Sequence, residues 1–394
     1  MTIKLSHRSQ KVKPSPTLAI TAKANALKAA GEDVIGLGAG EPDFDTPGVA
    51  KQAAIAAINA GMTKYTAVPG TNELRQAVCD KLQRENQLRY ELDQILVSVG
   101  AKHSIYNLCQ ALLDDGDEAI IPSPYWVSYP DMVQLAGGVP VFIHTGIDQN
   151  FKITPEELKG ALNSRTRLLI LNSPSNPTGS VYSQEELSAL AEILLDYPKV
   201  VILSDDIYEH IFWAEKPFCN IINVCPELLD RSVIINGVSK AYAMTGWRIG
   251  YAAGPQALIT AMKTIQSQST SNPTSIAQAA ATAALNSPAE ELNTMVSAFK
   301  ERHDYVVSML NSIKGVRCIE SDGSFYAFPN MQGLIDQVDG VNNDVELADY
   351  LISDLGVALV PGSAFGAPGY MRLSFATDLE TLKDALTRIA KRFN

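Results

Sequence analysis

The feature that most constrains the fold is a series of seven short apolar runs in the middle of the chain, separated by segments of helical periodicity. The runs lie at 94–100, 118–123, 139–144, 167–173, 199–205, 232–238 and 248–254. Continuous apolar runs rich in β-branched residues are typical of strands that are buried on both faces. Their alternation with helical segments predicts an α/β fold, in which a mostly parallel sheet lies between layers of helices.

Several helical segments carry recognisable start signals. Three Ser/Thr–x–x–Glu pairs predict capping boxes at helix N-termini: Thr154 with Glu157, Ser183 with Glu186, and Thr377 with Glu380. The third pair predicts where the last helix of the chain begins.

The pattern changes near residue 288, where a long helical segment leads into short strands and a final helix. We therefore predict a large domain over 46–287 and a smaller α+β domain over 288–394. The first 45 residues precede the strand–helix alternation, and we expect this N-terminal segment (1–45) to pack with the small domain.

Charge and composition exclude several classes of partner. The formal net charge is -11 over 394 residues, so the overall field does not attract nucleic acid or an anionic membrane. No run of about 18 apolar residues predicts a membrane span, and the basic N-terminus lacks the apolar core of a signal peptide. The five cysteines are scattered without metal-ligand spacing, which predicts reduced thiols and a cytoplasmic protein.

Two cations stand out in the otherwise uncharged segment 236–255. Lys240 follows one predicted strand, and Arg248 opens the next. A desolvated lysine has a lowered pKa and becomes a nucleophile towards carbonyl groups, while an arginine can bind phosphate through two parallel hydrogen bonds. The alternative is that both are surface cations whose stems lie along apolar groups.

Other polar residues follow neighbouring strands. The junction after Gly100 joins a strand directly to a helix N-terminus, which is a potential anion site. Asn176 lies in a proline-rich turn after another strand, and Asp205 ends a third. A reactive lysine, a carboxylate and a phosphate site together indicate pyridoxal phosphate. Glu209 and His210 match no standard metal-ligand spacing, so we predict no metal.

The motifs "LGAGEPDFDTP", "KYTAVPGTNELR", "SPYWVSYPDM", "NSPSNPTG", "SDDIYEH", "SKAYAMTGWRIGYAAGP" and "MRLSFA" occur in this order. With them the chain resembles the class I pyridoxal-phosphate aminotransferases of fold type I, from about residue 11 to the C-terminus. The resemblance is greatest to a bacterial subgroup of aspartate and aspartate/prephenate aminotransferases. It implies pyridoxal 5'-phosphate as cofactor and a homodimer.

The resemblance also implies roles for individual residues around the cofactor ring. Lys240 would bind the cofactor covalently through its amine and act in catalysis. Asp205 would pair with the pyridine nitrogen, and Tyr208 would hydrogen-bond the ring oxygen. Trp126 would stack on the ring, and Asn176 would contact both cofactor and substrate.

A second set of implied roles concerns the phosphate. Ala101 and Lys102 would offer backbone amides, and Arg248 would complete the phosphate site. Tyr65 would reach the phosphate of the neighbouring subunit. Many relatives carry a serine where this chain has Gly237. Whether Ser239 replaces that hydroxyl is open from the sequence.

A third set of implied roles concerns the substrate. Arg372 and Asn176 would bind its α-carboxylate beside the backbone of Gly40, with Trp126 above it. In the subgroup, three other groups bind the distal carboxylate, here Lys13, Thr17 and Lys102. Apart from the resemblance, Lys13 resembles an ordinary solvated cation of a chain terminus.

The implied activity is transfer of an amino group between L-aspartate or glutamate and 2-oxoglutarate or oxaloacetate, with prephenate as a further candidate substrate. Three alternatives stay open: an aminotransferase for aromatic or neutral amino acids, a pyridoxal-phosphate lyase on the same fold, and a non-catalytic regulator. The last is disfavoured because no added DNA-binding segment or basic stripe is visible.

Overall fold

The computed structural model describes residues 3–12, 14 and 16–394; Lys13, one of the predicted substrate ligands, lies outside them. The α-helices of the described residues are α1 (His7–Lys11), α2 (Pro16–Ala29), α3 (Gly48–Asn59), α4 (Asn72–Asn86), α5 (Ala101–Leu112), α6 (Tyr129–Leu135), α7 (Pro155–Ala161), α8 (Gln184–Leu195), α9 (Ile221–Val224), α10 (Gln256–Ser269), α11 (Ser275–Leu285), α12 (Asn293–Asn311), α13 (Gln332–Ile335), α14 (Asp344–Asp354) and α15 (Leu379–Phe393). The strands are β1 (Ile35–Gly36), β2 (Ile95–Ser98), β3 (Glu118–Ser123), β4 (Val139–His144), β5 (Thr166–Asn172), β6 (Val201–Asp205), β7 (Ser232–Gly237), β8 (Gly250–Ala253), β9 (Tyr326–Ala327), β10 (Val357–Ala358), β11 (Val360–Pro361) and β12 (Met371–Ser374).

All seven predicted strands pair in one sheet, in the order β2-β8-β7-β6-β5-β3-β4. β8 runs in the opposite direction to the other six strands, so the predicted mostly parallel α/β sheet is confirmed. Successive residues of β5 point to opposite faces: Leu169 and Leu171 join one apolar cluster, and Leu168 and Ile170 join another. Helices α4, α8 and α11 pack in the first cluster, and α5, α6 and α10 in the second.

Two details of the prediction are wrong. The last helix is capped by Asp378, one residue after the predicted Thr377, because its carboxylate accepts from both the amide (2.9 Å) and the hydroxyl (2.6 Å) of Thr381. Arg248 lies before β8, not within it, because its φ of 57° belongs to the left-handed region and cannot continue a strand. The capping boxes at Thr154 and Ser183 are confirmed.

The C-terminal part forms a separate apolar cluster around α12, α14 and α15, with an antiparallel sheet in the order β11-β12-β9. β1, from the N-terminal segment, pairs with β10 through Ile35 opposite Val357. Lys23 also forms an ion pair of 2.7 Å with Asp349. The domain boundaries themselves stay a prediction. Among the described residues, no helix combines the length and the apolar character needed to cross a membrane.

Candidate active site

A cavity of about 440 Å³ lies where the parallel strands end, between the large sheet and the N- and C-terminal parts of the chain. This volume is ordinary for a small-molecule site. Twelve of the predicted site residues line it: Thr17, Gly40, Ala101, Lys102, Trp126, Asn176, Asp205, Tyr208, Ser239, Lys240, Arg248 and Arg372. The ends of β5, β6 and β7 meet at one edge of the sheet and bring together Asn176, Asp205, Ser239 and Lys240.

Lys240 lies in the loop after β7, and its Nζ donates a hydrogen bond to the carbonyl oxygen of Gly40. Its ammonium is 5.6 Å from the ring centre of Phe325 and 5.8 Å from that of Tyr208. Burial among these groups, with the positive charge of Arg372 adding to it, lowers the pKa of Lys240 to about 8. The amine is therefore available as a base or nucleophile much nearer neutrality than an ordinary lysine.

Asp205 ends β6 and is almost fully buried. Burial raises its pKa to about 6, while the hydroxyl of Tyr129, which donates to Oδ2 over 2.5 Å, opposes that rise. Lys240 also favours the ionised carboxylate. A buried carboxylate facing a cavity is suited to binding a cationic ring nitrogen.

Arg372 is a buried cation from β12. Its Nη1 donates to Asn176 Oδ1 over 3.0 Å, and its Nη2 donates to the carbonyl oxygen of Gly38 over 2.8 Å. Its Nε has no partner among the described residues. A guanidinium has five N–H donors, so three remain for a ligand, which is enough to bind a carboxylate through two parallel hydrogen bonds.

Tyr208 lies in the turn that follows Asp205, and its hydroxyl oxygen is 3.2 Å from that of Tyr326. The Tyr326 ring in turn lies 4.4 Å from the Arg372 guanidinium. Burial raises the pKa of Tyr208 well above its usual value. The hydroxyl therefore stays protonated and can donate to a ligand oxygen.

The N-terminus of α5 forms the anion-binding part of the cavity. The amides of Ala101 and Lys102 have no acceptor among the described residues, as expected for a first helical turn. Gly100, with φ of 85°, lets the Arg248 guanidinium approach, since a Cβ there would lie 2.9 Å from its Cζ. Arg248 is fixed by the carbonyl oxygens of Thr245 (2.9 Å) and Val99 (3.3 Å).

Gly237 occupies a position where no side chain fits. A Cβ there would lie 2.8 Å from both Gly250 Cα and the carbonyl oxygen of Ile249 on the adjacent strand. Because both neighbours are backbone atoms, they cannot move aside as a flexible side chain would. Ser239 is the nearby hydroxyl that lines the cavity.

Trp126 and Lys102 lie next to each other in the cavity lining. Trp126 lies before α6, and the Lys102 ammonium is 5.0 Å from its ring centre. Partial burial lowers the pKa of Lys102, and the charge of Arg248 adds to the shift. Thr17, which also lines the cavity, presents a buried hydroxyl without a partner among the described residues.

Tyr65 does not line the cavity; it is 91% exposed. The loop that carries it is held by two fully buried glutamines. Gln266 donates to the carbonyl oxygens of Val68 (2.9 Å) and Val97 (2.8 Å), and Gln278 accepts from the amide of Thr71 over 2.8 Å. The loop is therefore fixed on the protein while its tyrosine projects into solvent.

Sequence reasoning missed several residues of this region. Tyr129 and Tyr326 line the cavity, and Asn172 ties Asp205 to Asn176 by donating to the Asp205 carbonyl oxygen (2.9 Å) and accepting from the Asn176 amide (2.8 Å). The position of Asn172 at the end of a buried strand was a usable signal. The contacts of both tyrosines join segments that are far apart in the chain, so they leave no signal in the sequence.

A buried ion pair behind the site was also missed. Lys81 on α4 contacts Glu209, lies 3.5 Å from Glu85, and donates to Asn86 Oδ1 over 2.7 Å. Glu85, Glu209 and His210 lie close enough together to hold a metal ion. The Lys81 ammonium already supplies the positive charge that these carboxylates require.

The residues that line the cavity fit pyridoxal 5'-phosphate. The buried amine of Lys240 can bind an aldehyde, and the buried carboxylate of Asp205 faces the same space. The free amides of Ala101 and Lys102, beside Arg248, are suited to a phosphate. Each reactive part of the cofactor therefore has a chemically matched group.

Comparisons with known proteins agree with this chemistry. The family model described as "Aminotransferase class I and II" matches residues 32–389. The aspartate/prephenate aminotransferase of Nitrosomonas europaea is 56% identical over 98% of this chain and 99% of its own length. The aspartate aminotransferase of Geobacillus stearothermophilus is 52% identical over 98% of each chain. The crystal structure of the aspartate aminotransferase from Rhizobium meliloti superposes with a TM-score of 0.95 at 48% identity, covering 99% of this chain and 98% of that one. The chain therefore belongs to the class I and II aminotransferases, which are enzymes that depend on pyridoxal 5'-phosphate.

Proposed function

We propose that this protein moves the amino group between L-aspartate or L-glutamate and the acceptors 2-oxoglutarate or oxaloacetate. Prephenate, itself a 2-oxo acid, is proposed as a further acceptor. The names of the relatives from Nitrosomonas europaea and Geobacillus stearothermophilus support aspartate as a substrate, and the first name also supports prephenate.

The observation that carries the proposal for dicarboxylate substrates is the surplus of cations in the cavity: among the described residues four cations line it, against the two carboxylates of Glu41 and Asp205. Lys240 and Arg248 are assigned to the cofactor, and two further cations, Lys102 and Arg372, line the same space. Two remaining cations suit a substrate with two carboxylates, because each would otherwise stay unpaired in a partly desolvated site.

Lys240 is the proposed acid–base catalyst. Bound pyridoxal phosphate supplies an electron sink for the negative charge that develops when the substrate loses its Cα proton. The Lys240 amine, with its pKa lowered to about 8, takes that proton at Nζ and returns it later in the cycle. The Gly40 carbonyl oxygen, which accepts from Nζ, orients the amine.

Other residues would hold the cofactor. Asp205 would bind the ring nitrogen and keep it protonated, and Tyr208 would donate to the ring oxygen. Trp126 would cover one face of the ring. The amides of Ala101 and Lys102, the guanidinium of Arg248 and the hydroxyl of Ser239 would bind the phosphate.

Arg372 would bind the substrate α-carboxylate through its three free N–H donors. Its position is fixed by Asn176 and by the carbonyl oxygen of Gly38, so the Cα–H bond is oriented before proton transfer. Lys102 and the unpartnered hydroxyl of Thr17 would bind the distal carboxylate. Lys13 is proposed for the same carboxylate from the resemblance alone.

We also propose a homodimer in which Tyr65 completes the phosphate site of the neighbouring subunit. The high exposure of Tyr65 and the exposed apolar side chains of Ile55, Ile58 and Met62 on the same segment support this arrangement. The five unpaired cysteines support the proposal of a cytoplasmic enzyme.

A steady-state panel of amino donors tests the proposed function. Aspartate, glutamate, alanine and phenylalanine are each paired with 2-oxoglutarate and oxaloacetate, and prephenate is added as an acceptor. We expect the highest kcat/KM for aspartate and glutamate, and no turnover without an acceptor. Higher values for alanine or phenylalanine would indicate the neutral or aromatic enzyme, and continued turnover without acceptor would indicate a lyase.

A further inference from the structure

Tyr129 contacts both Asp205 and Trp126, two residues with proposed roles in cofactor binding. It is the first residue of α6 and is only 2% exposed. Its hydroxyl donates to Asp205 Oδ2 over 2.5 Å. Its ring packs edge-on against Trp126, with centres 5.3 Å apart at an angle of 85°.

We propose that Tyr129 is a positioning residue that keeps Asp205 ionised and oriented and also supports the Trp126 ring. The inference rests on the proposed roles of Asp205 and Trp126, and it adds a residue that acts on both. The Tyr129 side chain touches both groups. It therefore fixes Asp205, which would face the ring nitrogen of the cofactor, relative to Trp126, which would cover the cofactor ring.

The hydroxyl of Tyr129 is the principal hydrogen-bond donor to the Asp205 carboxylate. Burial and the neighbouring carboxylate raise the pKa of Tyr129 well above its usual value, so the phenol keeps its proton and donates. Among the described residues, the other hydrogen bond to the carboxylate is long, from the Ile207 amide to Oδ1 over 3.4 Å. In the same part of the chain, Lys240 and Tyr208 are the other charged or titratable groups that face Asp205.

The backbone fixes this arrangement locally. The Tyr129 amide donates to the carbonyl oxygen of Trp126 over 3.0 Å, which closes a turn between the two residues. The hydroxyl then crosses to β6, 76 positions further along the chain. The segment "YWVSY" therefore carries the ring that would cover the cofactor and the group that orients its anionic partner.

Two substitutions separate the roles of the hydroxyl and the ring. Tyr129→Phe removes the hydroxyl and keeps the ring, and Tyr129→Leu removes both. Tyr125→Phe is the matched control, since Tyr125 lies on the same segment and stacks on Phe142, with no hydrogen bond to Asp205 among the described residues. Thermal unfolding of each protein establishes that it is folded.

The decisive readout is made on cofactor-free protein. The carboxyl stretching band of Asp205 is followed by infrared difference spectroscopy against pH, with Asp205→Asn as the reference that lacks the band. We expect Tyr129→Phe to raise the pH midpoint of Asp205 protonation by about one unit or more, as for the loss of one charge-assisted hydrogen bond. Tyr125→Phe should leave the midpoint unchanged.

Cofactor affinity is the second readout. We expect the dissociation constant of pyridoxal phosphate to rise about ten- to one-hundredfold in Tyr129→Phe, with a larger rise at pH 6 than at pH 8. Tyr129→Leu should add a further loss from the missing support of Trp126. A midpoint in Tyr129→Phe equal to that of the wild type would overturn the inference.

Cofactor binding by Asp205→Asn and Tyr129→Phe distinguishes an error in the role of Asp205 from an error in the role of Tyr129. If Asp205→Asn binds the cofactor as tightly as the wild type, the proposed role of Asp205 is wrong, and the inference that Tyr129 serves cofactor binding is wrong with it. If Asp205→Asn loses affinity and Tyr129→Phe does not, the role of Asp205 stands and Tyr129 is not a positioning residue.

Discussion

Replacing Lys102 with alanine should selectively reduce activity towards substrates that carry a second carboxylate. The substitution keeps the backbone amide at the N-terminus of α5 and removes the side chain beyond Cβ, including the ammonium, which lies 5.0 Å from the ring centre of Trp126. A hydrogen bond to a charged group contributes about 1.5–3 kcal/mol. Because the Lys102 side chain is partly exposed, screening by solvent favours the lower end, about 1.5 kcal/mol. This corresponds to a roughly tenfold lower kcat/KM for aspartate.

The assay compares aspartate with alanine, because alanine has the same α-carboxylate and amine but no distal carboxylate. We expect the ratio of their kcat/KM values to fall about tenfold in Lys102→Ala. Lys263→Ala is the matched control, since Lys263 is an exposed lysine on the neighbouring helix α10, and its ratio should equal that of the wild type. An unchanged ratio in Lys102→Ala would refute the assignment of Lys102 to the distal carboxylate.

Three further predictions concern packing and charge. Gly237→Ser should lower the free energy of unfolding, measured by chemical denaturation, by about 1–3 kcal/mol, because the new Cβ meets the backbone of Ile249 and Gly250. The added hydroxyl should not tighten cofactor binding, and tighter binding would contradict this reasoning. Glu209→Gln should lower the free energy of unfolding by about 3 kcal/mol, the lower end for a broken buried pair, because the Lys81 ammonium keeps only the Glu85 carboxylate at 3.5 Å. Adding Lys81→Met should recover part of the loss; equal destabilisation in the single and double variants would be inconsistent with an ion pair. In cofactor-free protein, Arg372→Leu should raise the pKa of Lys240 above about 8, because the guanidinium charge lowers that pKa in the wild type. The pH dependence of Lys240 modification by an amine-reactive reagent measures this shift. A lower pKa in the variant would show that another group dominates.

The sheet and the principal site residues could be predicted because both depend on local sequence signals. Each buried strand appears in the sequence as an apolar run, and the predicted site residue Asp205 stands directly at the end of one of them. Parallel pairing then requires that these ends meet at one edge. The approximate location of Lys240, which follows β7, obeys the same rule, whereas Arg248 lies at this edge because β8, which it precedes, runs antiparallel to β7.

Contacts that depend on three-dimensional packing could not be predicted in this way. The bond from Tyr129 to Asp205 spans 76 positions, and that from Lys81 to Glu209 spans 128. Neither pair has a spacing that any periodicity would reveal. The need for glycine at position 237 likewise becomes clear only from the structure, in which β8 packs directly against this residue.

The central claim is that Lys240 catalyses transfer of the amino group from a dicarboxylic amino acid to the cofactor, once per protomer when no acceptor is present. The most direct test is a single-turnover reaction of cofactor-loaded protein with L-aspartate and no acceptor, in which oxaloacetate formed per protomer is measured for the wild type and Lys240→Ala. We predict one oxaloacetate per protomer in the wild type and a rate at least about 100-fold lower in Lys240→Ala, the usual scale for loss of an acid–base catalyst. Equal rates in the two proteins, or continued turnover beyond one oxaloacetate per protomer, would contradict the claim.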